Sequence, residues 1–288
     1  MAKPLFVDSE YEKKMVAEYK LMPNDNRELH VLGTYTPVPG IFSLGWTGWK
    51  DHPAADFVSG LISWHDGFSR DHASDPFYPI FGPLIEKGEL TKPELKSFFT
   101  YLMAVTSQNF VFEGVSQVRA HLLGVREVRD IIARHLFEEV GHNEMLAEFM
   151  AGYFKMDRVK EVDPLADFNT FNKDQYEMYM RFRALNEKGH FVELAAASML
   201  MERFIPRPHR QMAVGLRKHY HVPNNLMTFL DIHSYIDIYH ERFGTYILSK
   251  YATTKELQDM ARQAFEKAII ARYTSWKKQY ESMPISRR

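Results

Sequence analysis

The chain has 288 residues, of which 45% are hydrophobic and 25% charged, enough for a sizeable core in one large or two small globular domains. Its net charge of −1, with no long run of either sign, argues against nucleic acid or an anionic membrane surface as the main partner. Cysteine is absent, which excludes disulfides, thiolate metal sites and cysteine nucleophiles.

The first residues, MAKPLFVDSEYEKK, lack the apolar core of a signal peptide. No apolar run approaches the ~20 residues of a membrane span. The expectation is a cytoplasmic protein. Residues 1–53 carry Pro37, Pro39, Gly33, Gly40, Gly45 and Gly48 with little periodicity, and read as an irregular arm with one short helix near Glu10–Lys20. The rest, 54–288, reads as one helical domain.

A helix is expected from Ala54 to His72, before the turn-rich SDPFYPIFGP. Its Trp64-His65-Asp66 reads as a surface or capping feature. Thr91 and Glu94 form a capping box with Pro93 in the first turn, opening a helix that stops at Gly124. Val125 opens the next helix, predicted to run unbroken to Phe154 through Gly141, where a local bulge or a close approach would explain the glycine. A polar connection, 155–173, leads to a helix from Asp174 to Glu187 and an apolar one from Phe191 to Phe204, ended by Pro206 and Pro208. Helices follow from Pro208 to Tyr220, from Asn225 to Lys250, and from a Thr253/Glu256 capping box to about Glu281. No segment alternates with period two for long enough to make a strand. The fold class is all-α.

The stretch FLDIHSYIDIYHERF holds His233, Asp237 and His240, spaced four and then three apart, which places all three on one face of a helix. Leu226, Phe229, Leu230, Ile236, Phe243 and Ile247 share that period, so the three polar groups lie in the stripe that faces the core. Glu139 and His142 share a face with Ile132, Leu136, Leu146 and Phe149, whereas Glu138 points further from that stripe. Glu202 sits in AAASMLMERF, apolar nearly all round. Six such groups, buried and unpaired, would cost several kcal/mol each. A set of carboxylates and imidazoles suits iron or manganese better than calcium or magnesium, and six ligands suit two ions sharing bridging carboxylates.

Two plans accommodate these residues. A ferritin-like site would use Glu139-x-x-His142, Asp237-x-x-His240, Glu202 and Glu113, leaving His233 over. The second uses His233 and omits Glu113. Here the sequence resembles the heme-oxygenase-like diiron oxidases and oxygenases, relatives of the thiaminase-like and pyrroloquinoline-quinone-synthase-like helical proteins. HLFEEVGHNEM is similar to their acid-then-His helix, Glu202 to their single buried Glu, and H-x-x-x-D-x-x-H, as His233, Asp237 and His240, matches in spacing and residue type. DPFYPIFGPLIEKGELTKPELKSFF also resembles the approach to their second long helix. The likeness spans Ala54 to Tyr251.

The resemblance implies a heme-oxygenase-like bundle of about seven helices. It implies two iron ions held by Glu139, His142, Glu202, His233, Asp237 and His240, with O2 as co-substrate. His135, seven residues before His142, is read as a second-shell or core group ahead of a seventh ligand. The implied reaction is oxidation of a small molecule, an amino acid or its derivative ahead of a fatty acid, by N-oxygenation, desaturation, C–C cleavage or oxidative decarboxylation. An external electron donor and a homodimer fit the same picture. Arg203, Arg207 and Arg119 are candidates for a substrate carboxylate, and Phe110, Phe112, Tyr235 and Tyr239 for a pocket wall. The competing readings are a metal-free hydrolase or oxidase on the same bundle, and an iron- or partner-binding protein without turnover. His219, His221 and Lys218 read as solvated; Met199, Met201 and Met212 as core.

Overall fold

Capping residues and apolar periodicity set most helix limits in the computed structural model, which describes residues 9–20, 38, 40–106, 120–139, 141–166 and 190–287. The helices are α1 (Ser9–Lys20), α2 (Ala55–Asp71), α3 (Gly82–Lys87), α4 (Lys92–Thr106), α5 (Arg126–Glu139), α6 (His142–Phe154), α7 (Phe191–Leu194), α8 (Pro206–His219), α9 (Thr228–His233), α10 (Asp237–Tyr251) and α11 (Lys255–Ser282). No strand occurs among the described residues. The expected helix 174–187, with Phe110, Phe112, Glu113 and Arg119, lies outside them.

The predicted capping box closes α4: Thr91 N donates to Glu94 Oε2 at 2.8 Å, and Glu94 N donates to Thr91 Oγ1 at 3.4 Å. The cap of α11 falls one residue later than expected, at Thr254, whose Oγ1 accepts from Leu257 N. Helix α10 is the axis of the bundle. Its residues are buried almost all round, and it packs against α2, α5 and the chain from 195 to 204. Helix α6 lies against α4 and α9, and α8 against α3 and α9.

Three expected helices are not single α-helices: two are broken and one changes its winding, each beside a cluster residue. Between α5 and α6, Gly141 adopts φ +95°, a left-handed conformation that ends one helix and opens the next. A Cβ there would meet nothing within 4 Å, so glycine is required by backbone geometry and not by a close approach. Between α9 and α10, residues 234–236 form a tightened turn in which Tyr235 N bonds to Ile232 O and Ile238 N to Tyr235 O, i to i+3. His233 therefore ends one helix and Asp237 begins the next. After α7 the chain continues helically without a break, first as a π segment (Ala195–Met199) and then as a 3-10 segment (Leu200–Phe204). Gly244 of α10 crosses here so closely that a Cβ would lie 2.5 Å from Leu200 N.

His65 is also placed differently from the expectation. It is fully buried between the rings of Phe204 and Phe265 and is a core histidine, not a surface or capping one. Burial, helped by the charge of Arg203, lowers its pKa to about 3, so it packs as a neutral ring. Met199, Met201 and Met212 lie in the core as expected. On the outside of the bundle α1 docks through Glu12, which pairs with Arg242 of α10, and through Tyr11, whose hydroxyl donates to Ser234 O.

Candidate metal centre

Where α5, α6, α9, α10 and the 3-10 segment converge, the inner faces of the bundle are not apolar. Glu139, His142, Glu202, His233, Asp237 and His240 are each at most 8% exposed, and the structure brings all six together. Their donor atoms form overlapping sets within 4.8 Å of one another: Glu139 with His142 and His233, Glu139 with Asp237 and His240, and Glu202 with His240 and His135. Glu139 and His240 each join two of these sets.

His240 sits at the centre. Its Nδ1 lies 2.9 Å from Glu202 Oε2, 3.1 Å from Glu139 Oε1 and 3.3 Å from Asp237 Oδ1. None of these contacts has hydrogen-bond geometry, and Asp237 Oδ2 is likewise buried with no hydrogen bond. The other ring nitrogen, Nε2, faces Glu138 Oε2 at 3.2 Å, and Glu138 is held by Arg134 at 2.5 Å. That bond holds a proton on Nε2 and turns Nδ1 toward the three carboxylates. His233 is fixed in the complementary sense. Its Nδ1 donates to Phe229 O at 2.7 Å, which leaves the lone pair on Nε2. His142 Nδ1 is 3.1 Å from Glu139 Oε2, and the His142 and His233 rings meet edge to face at 4.5 Å.

Burial and mutual charge strongly perturb the titration of these groups. Burial pushes Asp237 up to about 7, and the Glu202 and Glu139 carboxylates push the same way against the contact with His240. Burial would also raise Glu139 and Glu202. The imidazoles override it: His142 first holds Glu139 well below the usual carboxylate range, and His135 first lowers Glu202. Burial would lower His240, but Glu202, then Asp237, Glu138 and Glu139, raise it well above the ordinary imidazole value. His233 is lowered by burial and by the neighbouring His142 and His209. Three carboxylates thus crowd one imidazole nitrogen.

Three residues outside the six complete the surroundings of the site. His135 has its Nε2 3.2 Å from Glu202 Oε1 and its ring 4.2 Å from that of His240, so it stands among the possible donors and not in the remote core. Glu138 points inward as well, at 3% exposure, contrary to the expectation that it turns away. The signal was present, since 135, 138 and 139 share the i, i+3, i+4 relation of one helical face. His209 of α8 stacks on His233 at 5.2 Å and donates from Nδ1 to Ile205 O. Nothing in its sequence context singles it out.

Residues 100–273 match the model of a family described as iron-containing redox enzyme. The chain belongs to that family. No curated protein matches it. Among solved structures it is similar to a domain of unknown function with a heme oxygenase-like fold from Shewanella denitrificans. The identity is 17%, the coverage 77% of this chain and 92% of that one, and the TM-score 0.62. It is also similar to a TenA homolog from Pseudomonas syringae pv. tomato, at 11% identity over 86% of this chain and 100% of that one, with a TM-score of 0.64. The fold is heme-oxygenase-like. In the membership of the family, the iron-containing redox enzymes, the acid–imidazole cluster finds a chemical context. Among the described residues no helix is long and apolar enough to cross a membrane.

Proposed function

We propose that this iron-containing redox family member is an O2-dependent diiron oxidase or oxygenase acting on a small molecule. The observation that carries the reading is the set of contacts around His240 Nδ1. Donor atoms 2.9–3.3 Å apart with no hydrogen placed between them have the spacing of neighbouring ligands on one ion. Metal–ligand bonds of ~2.1 Å at right angles put such neighbours ~3 Å apart. The donor set fits iron on chemistry as well, mixing carboxylate oxygen with imidazole nitrogen.

In this reading Glu139, His142 and His233 would hold one ion, and Asp237, His240 and Glu202 the other, with Glu139 near enough to both sets to serve either. His135 lies close enough to Glu202 to join the second set. The chemistry a bound iron pair supplies is the reduction of O2 and the oxidation of a substrate held nearby. The chain's own contribution is orientation and exclusion of water. Glu138, anchored by Arg134, keeps the His240 proton on Nε2, and the Phe229 carbonyl keeps the His233 proton on Nδ1. Phe229 and Phe243 pack on the rings of His233 and His240 and wall the site with hydrocarbon.

Anaerobic loading with Fe(II), metal counting, and mixing with O2 in a stopped-flow spectrometer test the proposal. About two irons per chain and O2 uptake that follows iron content are expected. Failure to bind iron would leave the cluster a proton-sharing structural network and would favour a metal-free enzyme on this bundle. Tight iron binding with no O2 reaction, alone or with candidate substrates, would point to a binding protein without turnover.

A further inference from the structure

The turn that parts His233 from Asp237 leaves a backbone acceptor over. In an unbroken helix Ser234 O would accept from Ile238 N, but that amide bonds to Tyr235 O instead. Ser234 is buried, and a buried carbonyl needs another donor. It comes from the N-terminal arm: the Tyr11 hydroxyl of α1 donates to Ser234 O at 3.2 Å. Burial raises the Tyr11 phenol above its ordinary value, and Glu18 and Asp237 add to this against Arg207 and Arg210, so the donor keeps its proton. Helix α1 is held on both sides of this bond. Arg207 of α8 lies over the Tyr11 ring at 4.7 Å, and Arg210 pairs with Glu18 at 2.6 Å. Buried Glu12 pairs with Arg242 of α10 and accepts from Gly45 N at 3.0 Å, while Arg242 also donates to the carbonyls of Ile41 and Ser43. Ser234 and Arg242 flank Asp237 and His240 along the chain, so α1 spans the stretch that carries both.

We propose that α1 is a clasp on the metal centre, with Tyr11 as the positioning residue that fixes the turn between His233 and Asp237. The bond favours the tightened turn over a continuous helix, in which Ile238 N would occupy Ser234 O. That choice matters to the donors. Exchanging i+4 for i+3 bonds rotates the residues after the turn relative to those before it. His233 lies before the turn, and Asp237 and His240 lie after it. Without the hydroxyl, Ser234 O is left unsatisfied, and the turn opens to water or slips back toward the helical bond. The clasp belongs to a part of the chain that the family match, residues 100–273, does not cover. What it positions rests on the metal reading above; the state of the turn does not.

Hydrogen exchange of the full metal-free chain reads the turn directly. Tyr11→Phe keeps a ring under Arg207 and removes only the hydroxyl. Its amides at 235–240 should exchange roughly fivefold faster or more, with those of α11 unchanged. Tyr101→Phe is the control: it removes a buried hydroxyl bond between α4 and Ser275 of α11, and should leave 235–240 as they are. Co(II) titration followed by visible absorption gives the second readout. Tyr11→Phe should shift the ligand-field bands and weaken uptake of one ion, and Tyr101→Phe should do neither. Unchanged exchange at 235–240 in Tyr11→Phe would overturn the proposal. So would acceleration spread evenly into α11, which marks a support of the whole fold, or Co(II) bands identical to those of the parent. A parent that takes up neither Co(II) nor Fe(II) would sink the metal reading alone, and exchange would still decide whether α1 fixes the turn.

Discussion

Gly244→Ala separates packing from propensity at the place where the centre is assembled. In an isolated helix the change would stabilise by ~1 kcal/mol. Here the new Cβ would sit 2.5 Å from Leu200 N, 2.8 Å from Ala195 O and 2.8 Å from Met199 Cβ. Two of those atoms are backbone and cannot turn aside. Non-bonded carbon contacts are optimal at ~3.5–4.0 Å, so α10 must back away from the 195–204 segment by ~1 Å. Overpacking of this kind costs ~1–3 kcal/mol, which outweighs the gain in propensity. The same displacement acts on the 2.9 Å contact between His240 Nδ1 and Glu202 Oε2, since each helix carries one partner. Urea denaturation should show a net loss of ~1–2 kcal/mol, and titration of the folded variant with Fe(II) should show at least tenfold weaker binding of one ion. A variant as stable as the parent, with unchanged iron binding, would refute the claim that this crossing sets the site.

Four further outcomes follow from the same geometry. Glu138→Gln leaves the fold intact but removes the charge that aligns His240 between Arg134 and the carboxylates; metal affinity should fall ~10–100-fold in a chelator competition. His233→Ala should lower iron from about two to about one per chain, whereas Glu113→Ala should not; the reverse, by metal analysis, would favour a ferritin-like arrangement. His209→Phe, which keeps a ring against His233, should retain more iron than His209→Ala by the same analysis. His65 yields a pH signature. Its folded pKa of about 3 lies below the unfolded value of ~6.5, so the unfolded chain binds more protons between those limits. Stability is therefore full above pH ~6.5 and falls below it by up to ~1.4 kcal/mol per pH unit from this group. Metal-free His65→Phe should show a shallower decline in urea titrations from pH 7 to 5.

Much of this was legible before any coordinates. The 3.6-residue period and the Thr91/Glu94 box located α2 and α4, and the inward stripe brought His233, Asp237 and His240 to notice. What the pattern concealed was where helices stop. A period continues across a turn if the turn preserves the phase, and residues 234–236 do so by tightening to i+3 bonds. Gly141 was visible as an oddity, but only its positive φ shows that it divides two helices. Glu138 was misjudged because an apolar stripe predicts the core face of a helix packed against hydrocarbon. Here the facing surface is polar, and it draws the acid inward. His65 was misread for the converse reason: a His–Asp neighbour pair says nothing of the phenylalanines that enclose the ring.

The division at Gly141 has a consequence for how such proteins are found and how they diverge. Two donors on one continuous helix must keep their spacing, because each added residue turns the second by 100°. Glu139 and His142 stand on opposite sides of a turn, at the end of one helix and the start of another. Residues can be gained or lost between them while both donors stay in place, provided the left-handed position survives. A search that demands a fixed interval between acid and histidine would then pass over working relatives, and one that tolerates a short gap around a glycine would recover them.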